Sequence, residues 1–425
     1  MLQKRYKIFY GWYIVLALIL IWMVAQGIAT HSFTAFIEPI TNKFGWDYTQ
    51  ITLALSLYNL IAMLLSPIVG IAVDHWSARK LIFIGIILTS IGIFLLGWIN
   101  SLGQLYLCYI LMGIGGSTCI ATVPMTIVGR WFRKRLSVAT SIVMSGGAVG
   151  GLLVPLVTYF VDTIGWQTTM LITGLGMFVI ISPLSLIIRQ SPEQYGYLPD
   201  GDVNDNTAPS EGRTLTQGSG EDIGIKQALK SRPFWHISLA FMCLVFAPIA
   251  VQVHIMPYLS TIGIERTASS FTASMLLISN IFGRLLFGWF GDRFNKKWTA
   301  ASGTILVGIS LLLLSYITSI STGVLIPAVI LCGIGWGGAT IMYPVLLRVY
   351  FGTNHLGSII GFSMSITTIA LIVSPPLTSW LFERFDDYRI AWLVLIGVII
   401  ISVIIQVTNP SATTRQKVSA STNGI

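Results

Sequence analysis

Charge is scarce in this chain, and its scarcity excludes a soluble fold. Of the 425 residues, 10% are charged and 54% are hydrophobic, whereas an ordinary soluble domain carries about 25% charged residues. The hydrophobic residues form separate runs of about 20, which is the length that a helix needs to cross a hydrocarbon core of roughly 30 Å. The sequence therefore predicts a protein whose solvent is the lipid bilayer.

Cysteine and catalytic motifs are also sparse. The cysteines lie inside apolar runs without metal-ligand spacing, so we predict no disulfide framework, metal site or cofactor. A membrane enzyme would need a convergent catalytic set, and the apolar runs offer no carboxylate, metal cluster or nucleophile elbow. ATP-driven transport is disfavoured because no G-x-x-x-x-G-K-[ST] loop is present. A sensor would be expected to carry a soluble signalling domain, and none is visible.

Twelve apolar runs are present, and a polar stretch divides them into six and six. They lie near 11–33, 51–73, 80–99, 104–128, 136–160, 168–188, 233–258, 268–290, 298–318, 322–347, 356–381 and 389–408. The stretch 189–232 has no long apolar run and cannot pack a core of its own. We predict an all-α membrane protein, with a six-helix bundle over 1–188, a solvated cytoplasmic linker over 189–232, a second bundle over 233–408 and a cytoplasmic tail over 409–425.

The positions of Lys and Arg predict the orientation in the membrane. The net charge of +9 arises in short loops, where basic residues are topology signals rather than nucleic-acid contacts. With the N-terminus inside, every Lys and Arg falls in a cytoplasmic segment except Lys43, Arg266, Arg284, Arg384 and Arg389. The first run lacks a signal-peptide cleavage site, so we expect it to be retained. We predict an inner-membrane protein with both termini in the cytoplasm.

The two sets of six runs match each other at an offset of 220 residues. Such a repeat is expected when two six-helix bundles are related by a pseudo-twofold axis along the membrane normal. The matching residues are Gly115 and Gly335, Pro124 and Pro344, Met144-Ser145 and Met364-Ser365, and Pro155 and Pro375.

Two loops carry a signature. Gly70-Ile-Ala-Val-Asp74-His-Trp-Ser-Ala-Arg79-Lys80 follows the second run, and Gly288-Trp-Phe-Gly-Asp292-Arg293-Phe-Asn-Lys296-Lys297 follows the eighth. Both resemble the G-x-x-x-D-R-x-G-x-R loop of the major facilitator superfamily, although His75 and Ser77 replace the usual Arg and Gly. The resemblance implies a gate in which the Asp caps a neighbouring helix and pairs with an Arg, here Arg130. The alternative is that these charges only mark topology.

Three further stretches resemble the branch of monocarboxylate and oxalate–formate transporters. They are Tyr10-Gly11-Trp12-Tyr13-Ile14-Val15, Phe44-Gly45-Trp46, and Trp131-Phe132-Arg133-Lys134-Arg135 followed by Gly146-Gly147-Ala148-Val149-Gly150. The linker opening, Ser191-Pro192-Glu193-Gln194-Tyr195-Gly196-Tyr197-Leu198-Pro199-Asp200-Gly201, is also similar to bacterial members. The resemblance implies secondary transport of small carboxylate anions by a chain that functions as a monomer. Its motifs identify the branch better than the substrate.

Arg284 is the only formal charge that this topology places inside a span. A lone intramembrane charge marks a substrate path by default, and a guanidinium matches a carboxylate bidentately. We predict that Arg284 faces a central cavity and anchors the anion; an arginine satisfied by backbone carbonyls is the alternative. Asn280 lies one turn earlier on the same face and is a second candidate ligand. In animal monocarboxylate carriers this pair is Asp and Arg, so the acidic proton carrier is missing here.

Other polar residues are weaker candidates for the site. His254 lies where similar bacterial transporters place a histidine near the substrate, and His31 occupies the matching place 223 residues earlier. Either histidine could instead be a satisfied core residue. Tyr343, Ser365 and Thr368 are possible polar linings, which helix–helix hydrogen bonding would explain equally well.

The sequence thus predicts a proton-coupled symporter of lactate-like or pyruvate-like monocarboxylates. Oxalate–formate or dicarboxylate exchange is the alternative. Those exchangers commonly place a lysine in the eleventh span, and residues 356–381 contain neither Lys nor Arg.

Overall fold

The computed structural model describes residues 9–120, 122–195, 197–201, 224–316 and 322–409, and within them it contains twelve helices long and apolar enough to cross a membrane. We number them α1 to α12. They are α1 (Tyr10–Gln26, a π turn over Gly27–His31, and Phe33–Phe44), α2 (Tyr48–His75), α3 (Ala78–Leu96), α4 (Leu102–Cys119 and Thr122–Trp131), α5 (Leu136–Val149, a 3-10 turn over Gly150–Leu153, and Val154–Ile164), α6 (Trp166–Ser185), α7 (Arg232–Thr261), α8 (Arg266–Arg293), α9 (Lys296–Ser315), α10 (Leu325–Phe351), α11 (Leu356–Phe385) and α12 (Tyr388–Thr408).

This architecture confirms the predicted all-α fold of a multi-pass membrane protein. Parts of the prediction lie outside the described residues: the first eight residues, linker residues 202–223, and tail residues 410–425. The only other helices in the described part of the chain are short, Ile225–Lys230 and single turns at Glu193–Tyr195, Pro199–Gly201 and Thr322–Val324.

The helices extend beyond the predicted apolar runs. Consequently, the prediction that the transmembrane helices carry no carboxylate is wrong at their ends. Glu38, Asp74, Asp162, Asp292 and Glu383 each lie within the last two turns of a helix. A helix about 45 Å long, such as the 30-residue α11, exceeds the hydrocarbon core, so its ends reach the hydrated headgroup region, where carboxylates keep their water.

The chain divides into two compact units. The N-terminal unit comprises the described residues of Met1–Ser219 with Leu356–Gly361, and the C-terminal unit comprises those of Gly220–His355 with Phe362–Ile425. The first six residues of α11 therefore group with the N-terminal unit. The predicted linker 189–232 lies partly outside the described residues, and within the described part Arg189 and Asp200 bond to the N-terminal unit.

Each unit is held together by glycines at matching positions. In the N-terminal unit, Gly115 of α4 lies so close to α3 that a Cβ would collide with the backbone of Gly85. In the C-terminal unit, Gly335 of α10 meets the backbone of Gly303 in α9 in the same way. Without a hydrophobic driving force between helices in lipid, small residues that allow close approach determine which helices pair. The 220-residue repeat in the sequence is thus also a repeat in helix packing.

Candidate functional site

Arg284 lies well inside α8, which runs over 28 residues from Arg266 to Arg293. The residue is half-buried and its Nε atom is buried. Asn280 lies one turn earlier and is 2% exposed. Its Nδ2 group makes no hydrogen bond within the described residues, so a buried amide donor lies one helical turn from a guanidinium.

Gly333 and Gly337 of α10 and Gly283 of α8 form a close helix contact that we call the glycine seam. This contact sets the backbone positions of Asn280 and Arg284. A Cβ on Gly337 of α10 would collide with the carbonyl oxygen of Asn280 and would lie 3.1 Å from the backbone nitrogen of Arg284. Gly333, one turn earlier in α10, meets the backbone nitrogen of Asn280, and Gly283 of α8 meets the backbone of Ile334. This G-x-x-x-G arrangement brings the two helices into backbone contact. The positions of Asn280 and Arg284 therefore depend on α10.

Tyr343 lies on α10, less than two turns beyond Gly337. Its ring stacks on Phe241 of α7, with centroids 4.1 Å apart and planes inclined by 12°. The residue is 2% exposed, and its hydroxyl makes no hydrogen bond within the described part of the chain. Tyr343 also lines a cavity of the C-terminal unit together with His236 and Gln406. Tyr343 thus places a buried polar group on α10, the helix that packs against Asn280 and Arg284.

The two hydroxyl candidates on α11 differ from Tyr343. Thr368 donates its Oγ1 hydrogen to the carbonyl of Met364 at 2.9 Å, which is the usual bond of a threonine to the preceding helical turn. Ser365 is half-buried on the same helix. The hydroxyl of Thr368 is satisfied locally, so the structure gives its side chain a role in helix α11.

His254 is buried in α7 and uses both ring nitrogens. Nε2 lies 3.1 Å from the carbonyl oxygen of Pro375 in α11, and the Tyr388 hydroxyl of α12 lies 3.4 Å from Nδ1. A carbonyl only accepts, so Nε2 carries the hydrogen and Nδ1 of the neutral ring accepts from Tyr388. His254 therefore ties together the first, fifth and sixth helices of its unit.

His31 does the same in the N-terminal unit. Its Nε2 lies 3.0 Å from the carbonyl oxygen of Gly147, which again joins the first helix to the fifth. His31 ends the π turn of α1, and this turn meets the 3-10 turn of α5 where Gly27 and Gly150 touch through their backbones. The pseudo-symmetric histidines are matched in their bonding as well as in their positions.

Asp74 forms the cluster that the signature loop predicts. Its Oδ1 lies 3.0 Å from Nη2 of Arg130, and the Asp74 side chain is 1% exposed. The same carboxylate accepts from the backbone nitrogens of Gly357 and Ser358 at 3.0 and 2.8 Å, and from the Ser358 hydroxyl at 2.6 Å. Asp74 thus caps the first turn of α11 and pairs with Arg130. Sequence reasoning missed Ser358, because nothing in its neighbours distinguishes it.

The other predicted gating residues lie at the starts of α3 and α9 and at the end of α8. Arg79 donates from Nε to the carbonyl of Ile188 at 3.1 Å, and Lys80 is exposed. Lys297 donates to the carbonyls of Val407 and Asn409 at 2.7 and 2.6 Å, which closes the C-terminus of α12. Arg293 stacks over Trp289 at 3.9 Å, and Asp292 precedes it in the last turn of α8.

Metal chemistry has no visible site in the part of the chain that the structure describes. There, no group of three or more His, Cys, Asp or Glu side chains is placed to hold a metal ion. The four cysteines are free thiols.

Several known proteins resemble this chain in sequence or in fold. The profile of the Major Facilitator Superfamily matches residues 14–363 and 251–422. Monocarboxylate transporter 12 of Xenopus laevis is 26% identical over 400 residues, which cover 90% of this chain and 85% of that protein. The oxalate:formate antiporter of Oxalobacter formigenes is 23% identical over 351 residues, covering 82% and 79%. The crystal structure of the E. coli fucose:proton symporter aligns with a TM-score of 0.71 at 14% identity, covering 95% of this chain and 100% of that one.

Proposed function

Because this chain belongs to the Major Facilitator Superfamily, whose members are transporters rather than enzymes, we propose that it is a secondary transporter of small monocarboxylate anions such as lactate or pyruvate, coupled to a proton. Transport proceeds by alternating access. Both termini lie in the cytoplasm, the membrane is the inner membrane, and a single chain is the functional unit.

One observation carries the proposal, namely the position of Arg284 beside Asn280. Keeping a charge at the middle of a transmembrane helix costs about 2.5–3.5 kcal/mol on insertion scales, so such a residue is retained for a function. The guanidinium offers a planar fork of donors to one carboxylate, and the Asn280 amide lies one turn away to orient it. The similarity to monocarboxylate transporters supports the same substrate class.

The charge of one arginine favours monocarboxylates over dicarboxylates. One Arg neutralises one carboxylate and leaves a second carboxylate bare in a dry cavity, at a cost of at least a few kcal/mol. The competing proposal is oxalate–formate or dicarboxylate exchange, and the similarity to an oxalate:formate antiporter is the observation that favours it. Such an exchanger would need a second cation near the anion. Apart from Arg384 at its C-terminal end, α11 has no Lys or Arg.

The gating proposal follows from the Asp74 cluster. Asp74 and Arg130 hold the first turn of α11 through three hydrogen bonds to the carboxylate. Charge-assisted bonds of this kind are roughly twice as strong as neutral ones, so the cluster closes one side of the transporter and separates when that side opens. Asp292, Arg293 and Lys297 lie at the matching junction of α8 and α9, and we propose that they act as the second half of the gate together with Arg79 and Lys80.

The test is uptake by proteoliposomes of labelled mono- and dicarboxylates, with and without a pH gradient. Arg284→Ala should lower lactate uptake about a hundredfold or more, because two hydrogen bonds to a charged group are lost. Arg284→Lys should remain strongly impaired, since an ammonium lacks the bidentate fork. The matched controls are Arg384→Ala and Arg384→Lys, at an exposed arginine near the end of α11, which should transport normally.

Two results would reject parts of the proposal. Transport by Arg284→Ala near that of the parent protein would eliminate the anion anchor. Better uptake of oxalate or malonate than of lactate would reject the charge argument, and oxalate uptake that requires formate inside the vesicles would establish the exchanger instead.

A further inference from the structure

The first residues of the linker, Arg189–Asp200, form a segment that we call the strap. Gln190 is its second residue and bridges the end of α2 and the start of α3, on either side of the signature loop. Its Oε1 accepts from the backbone nitrogen of Ala78 at 2.6 Å, and its Nε2 donates to the carbonyl of Val73 at 2.9 Å. Ala78 begins α3 and Val73 lies in the last turn of α2, where helices leave backbone groups without partners. One side-chain amide therefore closes the turn that carries Asp74.

Asp200 ends the strap and anchors it to a second loop. Its carboxylate accepts from three consecutive backbone nitrogens, those of Arg133, Lys134 and Arg135, at 2.9, 2.6 and 3.4 Å. Consecutive N–H groups that converge in this way form an anion-binding concavity. Asp200 itself has φ = 62°, a left-handed conformation that is uncommon for residues other than glycine. The bonds to the loop hold it there.

Aromatic rings hold the start and the middle of the strap against the N-terminal unit. The guanidinium of Arg189 lies between the rings of Tyr10 and Tyr195, 4.0 and 4.2 Å from their centroids. The indole nitrogen of Trp131 donates to the carbonyl of Arg189 at 3.0 Å, and the ring of Tyr197 stacks near that of Tyr10. The strap is thus bound at its start, middle and end.

The two loops that the strap joins are the loops that carry the gate. Gln190 binds on both sides of Asp74, and Asp200 binds the loop that begins two residues after Arg130. Arg130 also donates from Nη1 to the carbonyl of Val73 at 3.4 Å, the same carbonyl that Gln190 binds. The pairing of Asp74 with Arg130 therefore depends on how these loops are held.

We propose that the strap is a working part of the gate, and that Gln190 and Asp200 are positioning residues that aim the Asp74 carboxylate at the first turn of α11. This inference rests on the proposed transport function. Without the strap, water replaces the amide of Gln190 and the carboxylate of Asp200, the two loops separate, and Asp74 holds Gly357 and Ser358 less often. A strap that only stabilises the fold would lower stability and leave the gate unchanged.

Val73 provides a reporter that needs no substrate. It is buried on α2, and its side chain lies against the first turn of α11, where a Cβ added to Gly357 would collide with Cγ1 of Val73. A cysteine at position 73 stays covered while the first turn of α11 is held and becomes reactive when it leaves. The measurement is the labelling rate of Val73→Cys by a membrane-impermeant maleimide in inside-out vesicles, in a chain whose four native cysteines are replaced by alanine.

Gln190→Ala and Asp200→Ala should each raise this labelling rate about tenfold, because each variant loses the side-chain hydrogen bonds that hold one of the two loops. Asp200→Asn keeps an acceptor oxygen and loses the charge, so it should give a smaller increase. Gln190→Glu keeps the acceptor for Ala78 but sets a carboxylate oxygen against the Val73 carbonyl, so it should raise the rate at least as much as Gln190→Ala. The matched control is Gln194→Ala, at an exposed strap residue, which should leave the rate unchanged.

The thermal unfolding midpoint of each detergent-solubilised variant is measured beside its labelling rate. Parent-like labelling of Gln190→Ala and Asp200→Ala overturns the proposal, whether or not the midpoint falls. Faster labelling of Gln190→Ala and Asp200→Ala with an unchanged rate in Gln194→Ala supports it, and an equal increase in Gln194→Ala overturns it. Because labelling requires no carboxylate, a failure of the transport proposal appears separately, as absent uptake by the parent protein.

Discussion

At the scale of single residues, His254 shows how a satisfied core histidine can still accept a proton. Its Nε2 hydrogen is committed to the Pro375 carbonyl, and its Nδ1 faces the Tyr388 hydroxyl. A hydroxyl both donates and accepts, so protonation of Nδ1 requires only that the Tyr388 hydrogen rotate away. No new partner and no backbone movement are needed. The bonding seen here is therefore compatible with either a structural role or a proton-carrying role.

The substitution His254→Gln separates these two roles. Glutamine keeps a donor for the Pro375 carbonyl and an acceptor for Tyr388, but it does not titrate. If His254 carries the proton, anion exchange should persist in the variant because exchange needs no empty return of the carrier, whereas uptake driven by an acid-outside gradient should fall to the level without a gradient. Uptake and counterflow are measured in the same proteoliposomes.

The matched control for this prediction is His31→Gln, which makes the same change at the pseudo-symmetric position. It should retain gradient-driven accumulation, since His31 only joins α1 to α5 in this scheme. Accumulation by His254→Gln that equals the parent's would remove His254 from the proton path, and loss in His31→Gln alone would move the proton site to the N-terminal unit.

At the scale of helices, length and apolarity predict where spans exist but not how they are broken. The first span was expected over 11–33, yet α1 continues to Phe44 after a π turn at Gly27–His31. Residues 33–44 mix apolar with polar side chains, so they lack the continuous apolar run that identifies a span. The π turn lies where Gly27 meets Gly150 of α5. Such a contact between distant helices leaves no local pattern in the sequence.

The contact between α8 and α10 yields a prediction at this scale. Gly337→Ala adds one methyl group that would collide with the Asn280 carbonyl, so the helices must separate. Overpacking of this kind costs roughly 1–3 kcal/mol, and it displaces the backbone of Asn280 and Arg284. We expect a lower thermal unfolding midpoint together with a loss of lactate uptake.

Gly397→Ala is the control, because it makes the same change in α12 at a helical glycine with open space around it. Alanine favours helix over glycine by roughly 0.5–1 kcal/mol, so the control should be neutral or slightly stabilised. If both variants unfold at the parent's midpoint and transport equally well, the glycine seam does not position the Arg284 site.

At the scale of the whole molecule, the sequence indicated the candidate anion anchor, Arg284, more readily than the candidate positioning residues of the gate. Arg284 is conspicuous because it is a lone charge in an apolar run. Gln190 and Asp200 are not, because their partners are backbone atoms of loops 65 to 117 residues away in the chain. The polar composition of the linker does not reveal that Arg189, Gln190 and Asp200 bond to the N-terminal unit.

The last prediction concerns topology, which depends on the number of crossings rather than on any single contact. Gly201 follows α6 and Asp387 follows α11, so five spans, α7 to α11, separate them. An odd number of crossings places the two positions on opposite sides of the membrane, and the distribution of Lys and Arg assigns Gly201 to the cytoplasm. Single cysteines at these positions, in a chain without native cysteines, should react with an impermeant maleimide from opposite sides. A cysteine at Asp386, beside Asp387 and exposed, should repeat the outside result without removing the helix cap that Asp387 provides to Arg389. Labelling of positions 201 and 387 from the same side would contradict the twelve-span arrangement, and labelling of position 201 from outside would reverse the orientation while leaving the number of spans intact.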